Sequence, residues 1–114
     1  MEKKVFRFDV EKLDVFKVSV EFVRYARSRE AWLSGDADRK RQLWRAADSI
    51  ALNIAEGAGR IAGREKLSFY RVALGSASEC VAILSLLRVG GRDVREGRAL
   101  LARIGAMLTR MLRR

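Results

Sequence analysis

Residues 65–89, EKLSFYRVALGSASECVAILSLLRV, decide the fold. Leu67, Tyr70, Leu74, Ala77, Val81 and Leu84 recur at alternating spacings of three and four, the period of one face of an α-helix. At 1.5 Å per residue such a helix is about 37 Å long. Phe69, Val72, Ala73, Cys80, Ile83 and Leu87 form a second apolar stripe on it. Gly75, Ser76, Ala77 and Ser78, in its middle, are small enough to let another helix approach closely.

Gly90 and Gly91 stop this helix, and Asp93 followed by Glu96 has the spacing of a capping box that starts the next. That helix runs from about Val94 to Leu112, with Leu101, Ile104, Leu108 and Met111 inside. Upstream, a helix over about Asp38–Glu56 carries Leu43, Ala47, Ile50 and Ile54 on its inner face. Asp36 or Asp38 caps its start, and Gly57, Gly59 and Gly63 end it, glycine supplying the left-handed conformation that helix ends use. The first helix, about Glu11–Arg29, follows a break at Ser34, Gly35 and Asp36 read backwards along the chain. It has two stripes, Leu13, Phe16, Val20, Val23 and Val15, Val18, Phe22, Tyr25. Residues 1–10 read as an irregular arm, and 11–114 as one all-α domain, an antiparallel up-down-up-down four-helix bundle. Two-striped helices point to contacts on both sides, hence to self-association.

Composition agrees. The 114 residues contain no proline, which permits long helices, and 49% are hydrophobic, enough for a core. No run of about 18 uncharged apolar residues occurs and the start is charged, so neither a membrane span nor a signal peptide is expected, and the cytoplasm is the expected compartment. The 24 Lys and Arg against 14 Asp and Glu give a net charge of +10, the footprint of a protein with a polyanionic partner, nucleic acid first.

Catalytic chemistry is scarce. Histidine is absent, removing the commonest general base and metal ligand. The single cysteine, Cys80, sits mid-helix on an apolar stripe and reads as a buried inert thiol; no zinc site or disulfide can be built from it. Glu56–Gly63, EGAGRIAG, follows a helix and lacks the Lys-Ser/Thr ending of a phosphate loop. The chain is therefore read as non-enzymatic, with no cofactor and no metal. Glu56 and Glu79 are the acids placed for burial, and Asn53, Glu56, Arg71 and Glu79 form a candidate structural polar cluster, Glu56 pairing with Arg71 or Arg60. The candidate phosphate-binding set is Arg39, Lys40, Arg41, Arg45, Arg60, Arg64, Lys66, Arg103, Arg110, Arg113 and Arg114, of which Arg60, Arg64, Arg110, Arg113 and Arg114 would gather at one pole of the bundle. Trp32 and Trp44 suit packing better than base stacking.

Ala46–Arg60, AADSIALNIAEGAGR, with Ala73–Leu84, ALGSASECVAIL, and Leu13–Ala26, LDVFKVSVEFVRYA, resembles the bacterial 23S rRNA intervening-sequence (S23) family. The resemblance covers the chain from about Val10 to its end. It implies a closed homopentamer of four-helix bundles forming a barrel. It also implies kinship with the accessory variability proteins of diversity-generating retroelements, which bind a reverse transcriptase and nucleic acid. Where that family often has proline, this chain has Ala51, which implies a straighter second helix. Two functions follow as expectations. One is a basic oligomeric accessory protein that binds RNA; the other is a protein–protein adaptor without a direct nucleic-acid role.

Overall fold

The computed structural model describes residues 5–29, 36–61 and 63–113. The apolar patterns become four helices: α1, Asp14–Ser28; α2, Ala37–Ala58; α3, Arg64–Val89; and α4, Arg95–Leu112. A 3-10 turn, Asp9–Lys12, precedes α1 and divides off the start expected for that helix. The described residues contain no strand. The expected turn residues Ser34 and Gly35, together with Trp32 and Arg114, lie outside the described residues.

Each helix packs against two others: α1 and α3 both touch α2 and α4, while the diagonal pairs do not meet. Buried positions on α2 (Leu43, Ala47, Ile50, Ile54, Gly57) and α3 (Tyr70, Ala73, Ala77, Cys80, Leu84) alternate by threes and fours, and these faces meet. Ser49 and Ser76 share a hydroxyl hydrogen bond of 2.7 Å, and Gly57 lies against Tyr70. On α4, Leu101, Ile104 and Leu108 are buried as expected and Met111 is half-buried. Each large apolar side chain so buried contributes roughly 1.5–3 kcal/mol.

The stripes sort differently from their sequence order. On α1, Val15, Val18, Phe22 and Tyr25 form the core face, while Leu13, Phe16, Val20 and Val23 are half-buried on its flank. Both stripes of α1 therefore turn inward. On α3 the core takes members of both expected stripes, because Ala73, Cys80 and Ile83 lie between the rows that Tyr70, Ala77 and Leu84 mark. The uncovered row is Val72, Gly75, Glu79, Ala82, Leu86 and Val89, again spaced by threes and fours. Nothing lies within 4 Å of a Cβ built on Gly75, so close approach within the chain occurs at Ser76 instead. By length and composition α3 is apolar enough to cross a membrane, a property shared by core helices with a second apolar face.

The helix ends also differ from expectation. Asp36 caps α2, its carboxylate accepting from the Arg39 amide at 3.0 Å. α2 runs through Gly57, and the positive φ of +86° falls at Gly63, ahead of α3. The capping box at α4 does not form. Asp93 lies one residue before the cap and accepts from Arg95, while Glu96 turns away to pair with Arg29 at 3.1 Å. After α3, the Gly91 amide donates to Leu87's neighbour Arg88 (2.9 Å) and the Arg92 amide to Leu87 (3.1 Å), with Gly91 at φ +90°. That pair of bonds is the Schellman closure.

Two glycines are required by packing. A Cβ on Gly57 would stand 2.5 Å from the Tyr70 ring and 3.2 Å from the Lys66 carbonyl; one on Gly97 would stand 2.2 Å from the Tyr25 ring. Both rings are buried and cannot swing away. Overpacking costs about 1–3 kcal/mol, against a helix-propensity gain of up to about 1 kcal/mol from replacing glycine by alanine. Gly57→Ala should therefore lower the melting temperature. Gly105→Ala, where nothing lies within 4 Å of the new Cβ, should raise it. Circular dichroism melts of the two variants check this pair of opposite signs.

Candidate nucleic-acid interface

Arginine and lysine line both ends of the bundle rather than one pole. At the first end, the close of α2, the opening of α3, the close of α4 and the 3-10 turn converge. Lys12, Leu13, Ala58, Lys66, Tyr70 and Met111 line a single cavity of about 460 Å³ there. Arg60 and Arg64 stand at the close of α2 and the opening of α3, and Arg110 and Arg113 at the close of α4; all four are exposed.

Arg60 is already engaged. Its guanidinium pairs with Glu56 at 3.1 Å and Glu65 at 3.6 Å, and lies 5.1 Å over the Phe69 ring. The Lys66 ammonium donates to the Arg60 carbonyl at 3.1 Å. Arg64, Arg110 and Arg113 are exposed and enter none of the ion pairs found among the described residues. They are the cations best placed to take phosphate oxygens here.

Arg39, Lys40, Arg41 and Arg45 open α2, about 30 Å along its axis from Arg60. Arg41 pairs with Asp38, and Arg45 is exposed. Half-buried Trp44 donates its indole N–H to the Ala26 carbonyl at 3.3 Å. Arg27 lies 4.7 Å from the centre of its ring and Lys40 5.3 Å, so the ring is cation-covered and packed rather than open for stacking. Arg27 also pairs with Asp48 at 3.0 Å. Arg103 is exposed midway along α4, apart from both groups.

The expected polar cluster does not assemble. Asn53 donates to the Ser49 carbonyl (2.8 Å) and hydroxyl (3.0 Å), and Ser49 reaches Ser76, so the polar contact between α2 and α3 is built from small neutral groups. Glu56 is exposed and pairs with Arg60 rather than Arg71; Arg71 and Glu79 are exposed as well. The register that places Ser49 beside Ser76 turns Glu56 and Glu79 to solvent. Cys80 is fully buried, and burial first, then the nearby Glu79 charge, pushes its thiol up to about 12. At neutral pH it is a protonated packing group.

Sequence reasoning passed over one group. Arg88, Arg92, Arg95 and Arg98 line a cleft of about 620 Å³ at the opposite end, around the α3–α4 turn. The signal was present in RVGGRDVREGR, residues 88–98: two glycines that fold the chain back bring arginines on either side together.

A family model for 23S rRNA-intervening sequence proteins matches residues 11–110. Among solved structures, a protein of unknown function from the S23 ribosomal protein family of Bacteroides thetaiotaomicron is similar, with a TM-score of 0.76. Its identity to this chain is 20%, and the alignment covers 88% of this chain and 99% of that one. No curated protein matches the sequence.

The exposed Glu56–Arg60 pair contributes little to stability, less than about 1 kcal/mol, because water screens it. Glu56→Gln should leave the melting temperature within a few degrees of the parent and strengthen binding of a single-stranded oligonucleotide by freeing Arg60. Melting curves and a low-salt titration read both effects; a large loss of stability would restore the acid to a structural role.

Proposed function

This chain belongs to the 23S rRNA-intervening sequence protein family, and from that premise we propose that it is a non-catalytic accessory protein that binds RNA through phosphates. The carrying observation is the set of exposed cations, Arg64, Arg110 and Arg113, at an end where helix termini converge. Arginine grips phosphate oxygens in two-point contacts, which gives affinity with little sequence preference. The family's name, attached to ribosomal RNA, supports RNA over other polyanions. The reading places the protein in the cytoplasm. The kinship with retroelement accessory proteins that the family resemblance implies makes a reverse transcriptase the protein partner to test first.

The finer architecture belongs to the same proposal. An antiparallel up-down-up-down order is supported by the contacts Ser49–Ser76 and Gly57–Tyr70, where positions rise on α2 as they fall on α3. Tyr25–Gly97, with Leu13 and Met111 on one cavity, supports the same for α1 and α4. A closed homo-oligomer, a pentamer on the resemblance, is supported by the uncovered row of α3, where Val72, Leu86 and Val89 are 50%, 56% and 87% exposed. The adaptor reading draws on that row too, with a different protein in place of further copies.

Two measurements test this. For about five phosphate contacts, the logarithm of affinity should fall against the logarithm of salt with a slope of about −3.5 on single strands and −4.5 on duplex. Charge reversal at Arg64, Arg110 or Arg113 should each flatten the single-strand slope by about 0.7; absence of binding at low salt rejects RNA. Light scattering should give an oligomer for the parent and a helical monomer for Leu86→Glu, whose side chain is exposed within one chain. A monomeric parent at micromolar concentration rejects self-assembly.

A further inference from the structure

The cleft at the α3–α4 turn has a chemistry of its own. Its walls are Arg88, from the last turn of α3, Arg92, from the turn, and Arg95 and Arg98, from the first turn of α4; Ala99 and Ala102 contribute an apolar wall. Asp93 is the acid among the lining residues, which leaves three net positive charges. The turn is held, not loose: the Schellman bonds at Gly91 and Arg92 fix the chain where it reverses, and Val94 is buried beneath it.

The placement of these cations opposes ordinary helix design. The N-terminus of a helix carries a partial positive charge, so Arg95 and Arg98 in the first turn of α4 are electrostatically unfavourable there, where Asp or Glu would be favoured. Arg88 at the end of α3 satisfies the opposite dipole, and Arg92 lies in the turn outside both helices, but Arg95 and Arg98 gain nothing from theirs. An anion seated among them would offset the penalty at Arg95 and Arg98 and would itself be favoured by the α4 N-terminus. Asp93 does so in part, taking the Arg95 guanidinium at 2.8 and 3.0 Å and its amide at 3.1 Å.

We propose that this cleft binds a nucleotide carrying a terminal mono- or diphosphate, its phosphate among Arg88, Arg92, Arg95 and Arg98 and its sugar or base against Ala99 and Ala102. A backbone phosphodiester has one negative charge. A terminal phosphate has nearly two at neutral pH, and a diphosphate more, a better match to three net positive charges. The volume, about 620 Å³, lies within the range of small-molecule sites. Asp93 acts as an internal competitor that the phosphate displaces from Arg95. The site lies at the end of the bundle opposite Arg64, Arg110 and Arg113, so it goes beyond the RNA surface proposed above and stands or falls separately from it.

The test uses the full chain at low salt, with calorimetric titration of pyrophosphate, adenosine diphosphate, and a short oligonucleotide with and without a 5′-phosphate. Asp93→Asn keeps an oxygen for the Arg95 amide and removes the competing charge; it should tighten adenosine diphosphate binding by about 3- to 10-fold. Arg98→Glu should weaken it at least about tenfold. It should also leave the chain as stable as the parent or more so, because a carboxylate suits a helix N-terminus. Tighter binding of the 5′-phosphorylated than the 5′-hydroxyl strand identifies a strand end as the source, and adenosine diphosphate binding above both identifies a free nucleotide; either supports the site. Binding that ignores Asp93→Asn and Arg98→Glu overturns it. So does equal affinity for the two strands together with no binding of adenosine diphosphate.

Discussion

Two tyrosine rings laid on two glycines hold this bundle at its spacing. Tyr70 of α3 lies on Gly57 of α2, and Tyr25 of α1 lies on Gly97 of α4. Each ring is buried on its apolar body, and burial raises the pKa of each phenol. With any side chain at either glycine the ring would have to leave or the helices would have to part. The contacts matter beyond packing, because each sits at a basic end. Gly57 is three residues before Arg60, and Gly97 lies between Arg95 and Arg98. The helix-to-helix distances that position the arginines are therefore set by the closest approaches in the core.

Charge is sorted along the bundle by a simple conflict. The helix faces along its length are occupied by apolar side chains, so cations collect on outer surfaces and at helix ends. Whether an arginine is available then depends on its acidic neighbours. Arg60, Arg41, Arg27 and Arg29 are each matched by a carboxylate within ion-pair distance. Arg64, Arg110 and Arg113 are not, although they stand at the same end as Arg60. A count of positive residues thus overstates the number of unmatched cations, and the separation into matched and unmatched is visible only once the helices are in register.

Much of the fold was legible because long three-four repeats have one physical solution. The four helices begin and end within about three residues of expectation, and the α2 core face was read correctly at Leu43, Ala47, Ile50 and Ile54. What failed was the choice between neighbouring rows. On α3 the rows through Ala77 and through Cys80 are both apolar, and only the partner helix decides that both go inside while Val72 and Leu86 stay out. Capping failed for a similar reason: Asp93 and Glu96 have the correct spacing, but Arg95 and Arg29 compete for their carboxylates. The acids named for burial, Glu56 and Glu79, lay in apolar surroundings in sequence, yet a helix turns every third or fourth neighbour to a different side. The cleft at the α3–α4 turn was passed over because Gly90 and Gly91 read as a helix stop and not as a fold-back that brings the arginines on either side together.

The uncovered row of α3 bears on what can lie against it. Composition alone makes this helix apolar enough for a bilayer, since a hydropathy sum treats every face alike. The three-dimensional arrangement separates two rows about two residues apart in phase, one facing the core at Tyr70, Ala73, Ala77, Cys80 and Leu84, the other exposed at Val72, Gly75, Ala82, Leu86 and Val89. Glu79 stands in the middle of the exposed row. Facing lipid, its carboxylate would meet a cost of a few kcal/mol with no water to solvate it. Against another protein helix it can remain at the edge of a seam, reaching solvent or a cation. Gly75 fits the same occupant, because a residue without a side chain serves close approach of a helix and serves nothing against fluid chains. An apolar row interrupted by one glycine and one acid is thus costlier to place against lipid than an unbroken one, and its three-four spacing is the one on which packed helices interdigitate.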